Sequence, residues 1–344
     1  MMSSHLISII IVNWNGWRDT VSCIDSIVCQ DITNVHIIVV DNGSEDNSFS
    51  QMNNYLSNSA NDSLEVYSYF IKKIINRQSF IHDITLQLPS SKPTSSISLL
   101  KLPENTGFAN GNNCGVWLSE VMKIDNIILL NNDVEVSREF IEIARGVFTK
   151  NNVKKLMSGL IYYYKRRNEL WSAGGYWNKW KINGYMYDKY NGNRNNSFLT
   201  ACCWFINTDI FREVGYFNKG LYLYMEDVEY CLRLKDNKYS FIVIPDIKVY
   251  HKVNSSSNKI SNVHEYFSVR NRIIVGKKYS SLIWLSIYVL HQLIGSILNQ
   301  QRSFSVTMLA VRHGIKYMLS EETELYHLSK SFVYGAQAAP GTNR

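Results

Sequence analysis

Short unbroken apolar runs, each closed by a polar cluster, recur through the first half of this chain. Leu6 to Val12 ends in Asn13-Trp14-Asn15-Gly16, Val35 to Val40 in Asp41-Asn42-Gly43-Ser44, and Ile127 to Leu130 in Asn131-Asn132-Asp133. Runs of this length without alternation fit strands buried on both faces, as in a parallel sheet covered by helices. Between the first two, Val21, Ile24, Ile27 and Val28 recur at helical spacing. Strand, turn, helix and strand in that order open a βαβ unit, whose right-handed crossover puts both strand ends on one edge. Asp41 and Asp133 then face the crevice where open α/β sheets bind ligands. Taken alone, Asp41 either caps its turn or accepts a base imide N–H or a ribose hydroxyl.

Residues 50–97 are rich in Ser and Asn, hold Pro89 and Pro93, and contain a helical-looking Val66–Ile75. They read as an insertion on the domain surface. Ile97 to Leu102 resumes as a strand and leads into Asn105-Thr106-Gly107-Phe108-Ala109-Asn110-Gly111-Asn112-Asn113-Cys114-Gly115, followed by a helical stretch to Met122. Glycines beside a helix start let backbone N–H groups approach a phosphate closely. The Gly-Lys-Ser/Thr of a Walker loop does not follow.

Further on, Phe140, Ile141, Ala144, Val147 and Phe148 form a helical apolar face, and Leu156 to Tyr164 reads as a strand. Trp177, Trp180, Tyr185, Tyr187 and Tyr190 make a loop suited either to stacking on sugar rings or to plain packing. Thr208 is placed to cap a short helix ending near Gly215. Val228, Cys231 and Leu232 mark a helix face that puts Glu226 and Asp227 in its first turn. The helix dipole there favours ionised carboxylates, as a capping pair or as a general base. Phe241 to Ile244 is a strand that Pro245 breaks, and Val249-Tyr250-His251 follows.

The last third changes character. Arg270, Arg272, Lys277 and Lys278 precede Leu282 to Leu298, an apolar run interrupted by Ser286, His291, Gln292 and Ser296. The run is at the short limit for a spanning helix, and its central polar residues argue against spanning. Basic flanks favour a helix seated on an acidic membrane surface over one packed on its own domain.

At 344 residues the chain holds one large domain or two smaller ones. A net charge of +7 suits an anionic partner. The positive charge gathers in the C-terminal region and not along a groove-reading element, so nucleic-acid binding fits poorly. Cys23, Cys29, Cys114, Cys202, Cys203 and Cys231 show no CxxC spacing, which reads as buried thiols in a reducing compartment. The N-terminus shows no basic n-region or cleavage site. The expectation is a cytoplasmic protein, peripheral at the inner face of the cell membrane.

Taken in order, IIIVNWNG (9–16), VDNGSED (40–46), NTGFANGNNCG (105–115), LLNNDV (129–134), WSAGG (171–175), FREVGYFNKGLYLYMEDVEYCLR (211–233) and YH (250–251) resemble the family 2 glycosyltransferases of the GT-A fold. The likeness is to the rhamnosyltransferase-like members that build bacterial surface polysaccharides, over roughly residues 5 to 280, and YFSVRNRIIVGKK (266–278) resembles the basic helix that follows their catalytic domain. It implies a Rossmann-like, mostly parallel central sheet flanked by helices over 1–260, with 50–97 as surface insertion. A helical, membrane-associated extension (261–333) and a disordered tail (334–344) follow. The implied activity is inverting transfer from a nucleotide-diphosphate sugar, dTDP-rhamnose or a UDP-sugar, to a lipid-linked or growing glycan.

By the same resemblance Asp41 binds the base. Val12, Asn13, Asn15, Asn42, Asn105, Gly107, Phe108, Asn113, Asn132 and Gly174 line the nucleotide sugar. Asp133 and His251 hold Mg²⁺ or Mn²⁺, and Asp227, with Glu226 beside it, is the base. Two departures stand out. Asn131-Asn132-Asp133 lacks one carboxylate of the DxD-like pattern, which should weaken metal binding, and the insertion between Asp41 and Asn105 is long. The competing readings are a non-catalytic homologue that binds a nucleotide sugar or scaffolds a polysaccharide assembly complex, and, more distantly, a nucleotidyltransferase. The latter needs a basic glycine-rich loop where this chain has Trp14-Asn15-Gly16-Trp17.

Overall fold

The computed structural model describes residues 6–317, except 59–63, 75, 86, 89–94, 150–153, 193–195, 254–261 and 300, together with Phe332. The first half runs β1 (Ile7–Asn13), α1 (Trp17–Val28), β2 (Val35–Asp41), α2 (Ser48–Asn58), β3 (Glu65–Phe70), α3 (Arg77–Thr85), β4 (Ser96–Lys101), α4 (Gly107–Val121) and β5 (Asn126–Asn131). These strands are parallel in the order β3-β4-β2-β1-β5. Then follow β6 (Val134–Val136), α5 (Phe140–Thr149), β7 (Lys155–Tyr163), β8 (Arg166–Ser172), the hairpin β9 (Gly175–Asn178) and β10 (Asn183–Met186), β11 (Cys203–Asn207), α6 (Thr208–Val214), α7 (Glu226–Asp236) and β12 (Ser240–His251). They extend the sheet as β5-β11-β7-β12-β6, with β8 paired to β7. α8 (Asn262–Tyr279), α9 (Leu282–Leu298) and α10 (Phe304–Tyr317) close the described chain.

β1 is apolar apart from Ser8, which pairs with Ser119 of α4, and its terminal Asn13, because both its faces are covered. Ile9 and Ile11 pack with Val21, Ile24 and Ile27 of α1, while Ile10 packs with Cys114 and Leu118 of α4. The contact with α4 accounts for two glycines of the glycine-rich segment, Gly111 and Gly115. The helix already begins at Gly107. A Cβ at Gly115 would lie 2.3 Å from Ile10 Cγ2, and one at Gly111 would lie 2.9 Å from Val12 Cγ1. Those glycines bring a helix down onto a strand.

Two expectations change. Val66 lies in a strand, the sheet's edge, because residues 65–70 find β4 to pair with. Pro245 does not end its strand; β12 continues past it through a bulge between Ile244 and Lys248, where a missing N–H costs no ladder bond. The short helix after β11 forms as expected, capped one residue earlier, by the Asn207 side chain. The 334–344 tail lies outside the described residues.

Candidate active site

The crevice lies at the C-terminal ends of β2, β1 and β5. The register pairs Asn13 with Asp41 and Val12 with Asn131, so Asp41 and Asn131 sit two strand spacings apart, about 10 Å. Its floor is a chain of directed hydrogen bonds. Asn13 Nδ2 donates to Asp41 Oδ1 at 2.9 Å, Thr20 Oγ1 donates to Asn13 Oδ1 at 2.9 Å, and Asn132 Nδ2 donates to Thr20 Oγ1 at 3.1 Å. Thr20 was not singled out in the sequence. The available signal was a hydroxyl in the first turn of the helix that follows β1. Asn15, held at positive φ, accepts from the backbone N–H groups of Glu45 and Asp46 and ties the β1 and β2 turns together.

Asp41 is fully buried, and its Oδ2 has no partner. Burial pushes its carboxyl up, while donation from Ser44 and Asn13 pulls it back. An unpaired buried acceptor at a crevice invites an N–H donor from a ligand.

Several expected lining residues instead brace the crevice from behind. Asn42 donates to Asn105 Oδ1 and the Gly107 carbonyl, and accepts from the Thr106 N–H and hydroxyl. Its amide is fully used. Asn105 Oδ1 also accepts the Gly107 N–H. Asn113 is buried and bonds the N–H and C=O of Phe217. Val12 packs towards Gly111, and Gly107 (φ +81°) sits where a Cβ would meet the Tyr222 carbonyl at 2.5 Å. Gly174 (φ +83°) turns the chain between β8 and β9. Phe108 is half-buried against the core.

Asp133 occupies the turn between β5 and β6, and β6 pairs with the end of β12, His251 opposite Val134. That pairing brings His251 Nε2 to 3.2 Å from Asp133 Oδ1. Trp171 of the WSAGG stretch packs edge-on against the imidazole, 4.5 Å between centroids. Among the described residues no group of three or more His, Cys, Asp or Glu side chains gathers as a metal cluster. A carboxylate and an imidazole this close have the donor chemistry to hold one divalent cation between them. Asp133 Oδ1 makes no hydrogen bond that would compete.

α7 supplies the second pair of carboxylates. Asp227 Oδ2 accepts from the Ala201 N–H at 3.3 Å and Oδ1 from the Val228 N–H at 2.7 Å. Burial raises its pKa to about 6, against hydrogen bonds from Ala201, Val228 and Thr200 that lower it. Glu226 is pushed well above the carboxylate range by burial and then by the Asp227 charge, and its Oε2 has no partner. Ala201 and Cys202 join the two halves of the site. Asn131 N–H donates to the Cys202 carbonyl, and the Cys202 thiol, raised first by burial, feels the charges of both Asp133 and Asp227.

The turn before α7 is strained. Tyr222 has φ 65°, ψ −63°, a γ-turn of the rare hand closed by Leu223 N–H on the Leu221 carbonyl. Tyr224 and Met225 also have positive φ. α8 holds this turn. Arg270 Nη2 donates to the Gly220 and Leu221 carbonyls, and Asn271 Nδ2 lies 2.9, 2.8 and 2.7 Å from the carbonyls of Leu221, Leu223 and Tyr224. The sequence showed this segment only as basic. The same turn reaches the segment before α4, where Tyr222 Oη donates to the Asn105 carbonyl.

A sheet of this order, with carboxylates where the strand order reverses and a second acidic pair on an adjacent helix, is the architecture of the GT-A glycosyltransferases. Residues 8–68 match the model of the family described as glycosyl transferase family 2. That match and the relatives that follow mark the chain as a glycosyltransferase similar to family 2, the matched segment being the first βαβ unit and the strand edge after it. It is similar to the dTDP-rhamnosyl transferase RfbF of Shigella flexneri, 24% identical over 203 residues, covering 56% of this chain and 67% of that protein. It is also similar to the low-salt glycan biosynthesis hexosyltransferase Agl10 of Haloferax volcanii, 18% identical over 181 residues, covering 52% of this chain and 59% of that one. Among solved structures, the mannosyltransferase PcManGT of Pyrobaculum calidifontis, in complex with GDP-Man and Mn²⁺, superposes with a TM-score of 0.51 at 12% identity, over 98% of this chain and 87% of that one. This last likeness is one of fold.

Proposed function

We propose that the chain transfers a sugar, with inversion, from a nucleotide-diphosphate donor to a lipid-linked or growing glycan, and that dTDP-rhamnose is the first donor to test, UDP-hexoses the next. The observation that carries this reading is the separation of two pairs of ionisable side chains, one Asp–His and one acidic, across Ala201–Cys202. Asp133 with His251 stands on the diphosphate side, and Asp227 with Glu226 on the acceptor side. Asp41 Oδ2 accepts the imide N–H of thymine or uracil. Asp133 and His251 would hold Mg²⁺ or Mn²⁺, which when bound neutralises the charge developing on the leaving diphosphate. Asp227 takes the acceptor hydroxyl proton as that oxygen attacks the anomeric carbon from the face opposite the leaving group. The bond to the diphosphate oxygen breaks, and the nucleoside diphosphate departs with the electron pair. A single displacement of this kind inverts the anomeric configuration. Glu226 is kept protonated by its burial, which leaves Asp227 as the ionised partner of the pair. The rhamnosyltransferase relative and the orphaned buried oxygen of Asp41 support the donor assignment.

The test is thermal shift and calorimetry with dTDP- and UDP-sugars, with and without Mn²⁺, on wild type and Asp133→Ala. Metal-dependent stabilisation by one nucleotide class, lost in the variant, supports the site and names the donor class. Binding that ignores both metal and substitution removes Asp133 from the metal role. Binding without turnover on any glycan acceptor favours a binding or scaffold role.

A further inference from the structure

α9 is built inside out. Its inward face carries Leu285, Tyr288, Gln292 and Ser296, with Gln292 accepting from Arg302 at 3.1 Å. Its outward face is a stripe of large aliphatic side chains, Ile283, Ile287, Leu290, Ile294, Ile297 and Leu298, each 46–77% exposed. The spacing of i, i+4, i+7, i+11 and i+14 keeps them on one side of the helix over about 22 Å. Phe304, Met308 and Ile315 of the neighbouring α10 are exposed as well. Scattered exposed apolar residues are ordinary, but a continuous stripe marks a contact surface.

The charges say what covers it. From Tyr266 to Ser320 the sequence has seven Lys or Arg and no Asp or Glu. Lys277 and Lys278 are exposed at the end of α8, just before α9. Lys179 and Lys181 are exposed beside Trp180, whose half-exposed indole meets Trp284 edge-on at 5.1 Å. A second copy of this chain would set lysine against lysine. An acidic lipid surface matches both the apolar stripe and the basic end, with tryptophans at the depth where their rings favour the headgroup boundary. None of the helices, among the described residues, is long and apolar enough to cross a membrane, so α9 lies in the surface plane.

We propose that α9 and α10 dock the enzyme on an anionic bilayer, with Ile283, Ile287, Leu290, Ile294 and Ile297 buried among acyl chains and Lys179, Lys181, Lys277 and Lys278 on the headgroups. This goes beyond the reading of the reaction and does not depend on it.

The experiment is flotation of the full chain with vesicles of phosphatidylcholine alone or with phosphatidylglycerol, beside light scattering for oligomeric state. The variants are Ile287→Ser/Leu290→Ser/Ile294→Ser, and Lys277→Glu/Lys278→Glu. Wild type should float with the anionic vesicles. The aliphatic variant should lose binding by about tenfold or more, and the lysine variant should lose its preference for anionic lipid. Melting temperature and nucleotide binding should be unchanged in both, since the altered side chains face solvent. Three results overturn the proposal: no flotation by wild type, flotation indifferent to the aliphatic substitutions, or a wild-type dimer that the same substitutions dissociate.

Discussion

Asn271→Ala isolates the clamp that presents the Glu226–Asp227 pair, the base of the proposed reaction. Tyr222, Tyr224 and Met225 hold backbone conformations that cost about 1–3 kcal/mol each, in a turn that ends where Glu226 begins. The two N–H groups of the Asn271 amide serve three carbonyls of that turn, one of them shared, so the amide is worth about two hydrogen bonds of about 1 kcal/mol net each, more where a buried carbonyl is left unpaired. Removing the amide should therefore cost about 2–4 kcal/mol if the turn stays in place. If the turn relaxes instead, part of its strain is released and the stability loss is smaller, but Asp227 moves. Urea unfolding reads the first quantity and turnover the second. A shift of about 1 Å in a catalytic group costs roughly a hundredfold in rate, so kcat should fall by that order while the donor dissociation constant stays within about twofold. The alanine variant of Asn271 turning over at the wild-type rate with wild-type stability would refute the clamp. Loss of donor affinity in step with kcat would show that the turn serves the nucleotide side and not the base.

The pH dependence follows from the raised carboxylates. With Asp227 at about 6, kcat/KM should rise about tenfold per pH unit below that value and level above it, and Asp227→Asn should abolish turnover. Stability runs the other way. Folded-state pKa values above the unfolded ones mean that the native chain holds these protons more tightly. The stabilisation is complete below the ordinary carboxylate range and is lost as pH rises through the folded values. Urea midpoints should accordingly be higher near pH 5 than near pH 8, with a smaller difference in Glu226→Gln. Gly115→Ala, which in an open helix would help by about 1 kcal/mol, should here destabilise by about 1–3 kcal/mol, because the new methyl meets Ile10 Cγ2 at 2.3 Å. Equal or higher stability in that variant would mean that α4 is free to move away from β1.

The sheet's parallel half was legible in the sequence because burial on both faces leaves a one-dimensional trace, an apolar run closed by a polar turn. The α7 start was legible for a similar reason, since periodicity and first-turn acids are local. The roles of the asparagines were not. Asn13, Asn42, Asn113 and Asn132 carry the same donors and acceptors, and only their partners separate a crevice floor from a brace against Phe217. Gly115 was equally ambiguous, permitting either a phosphate cradle or a close helix–strand contact, and Ile10, about a hundred residues before it, decided for the contact. The pairing of Asp133 with His251 needed β6 against β12, and the clamp needed α8 against the strained turn. The chain alone determined where the buried strands end and which polar residues gather at those ends. The tertiary structure decided which of those residues meet, because hydrogen bonding, burial and charge act over a few ångströms of space whatever the separation in sequence.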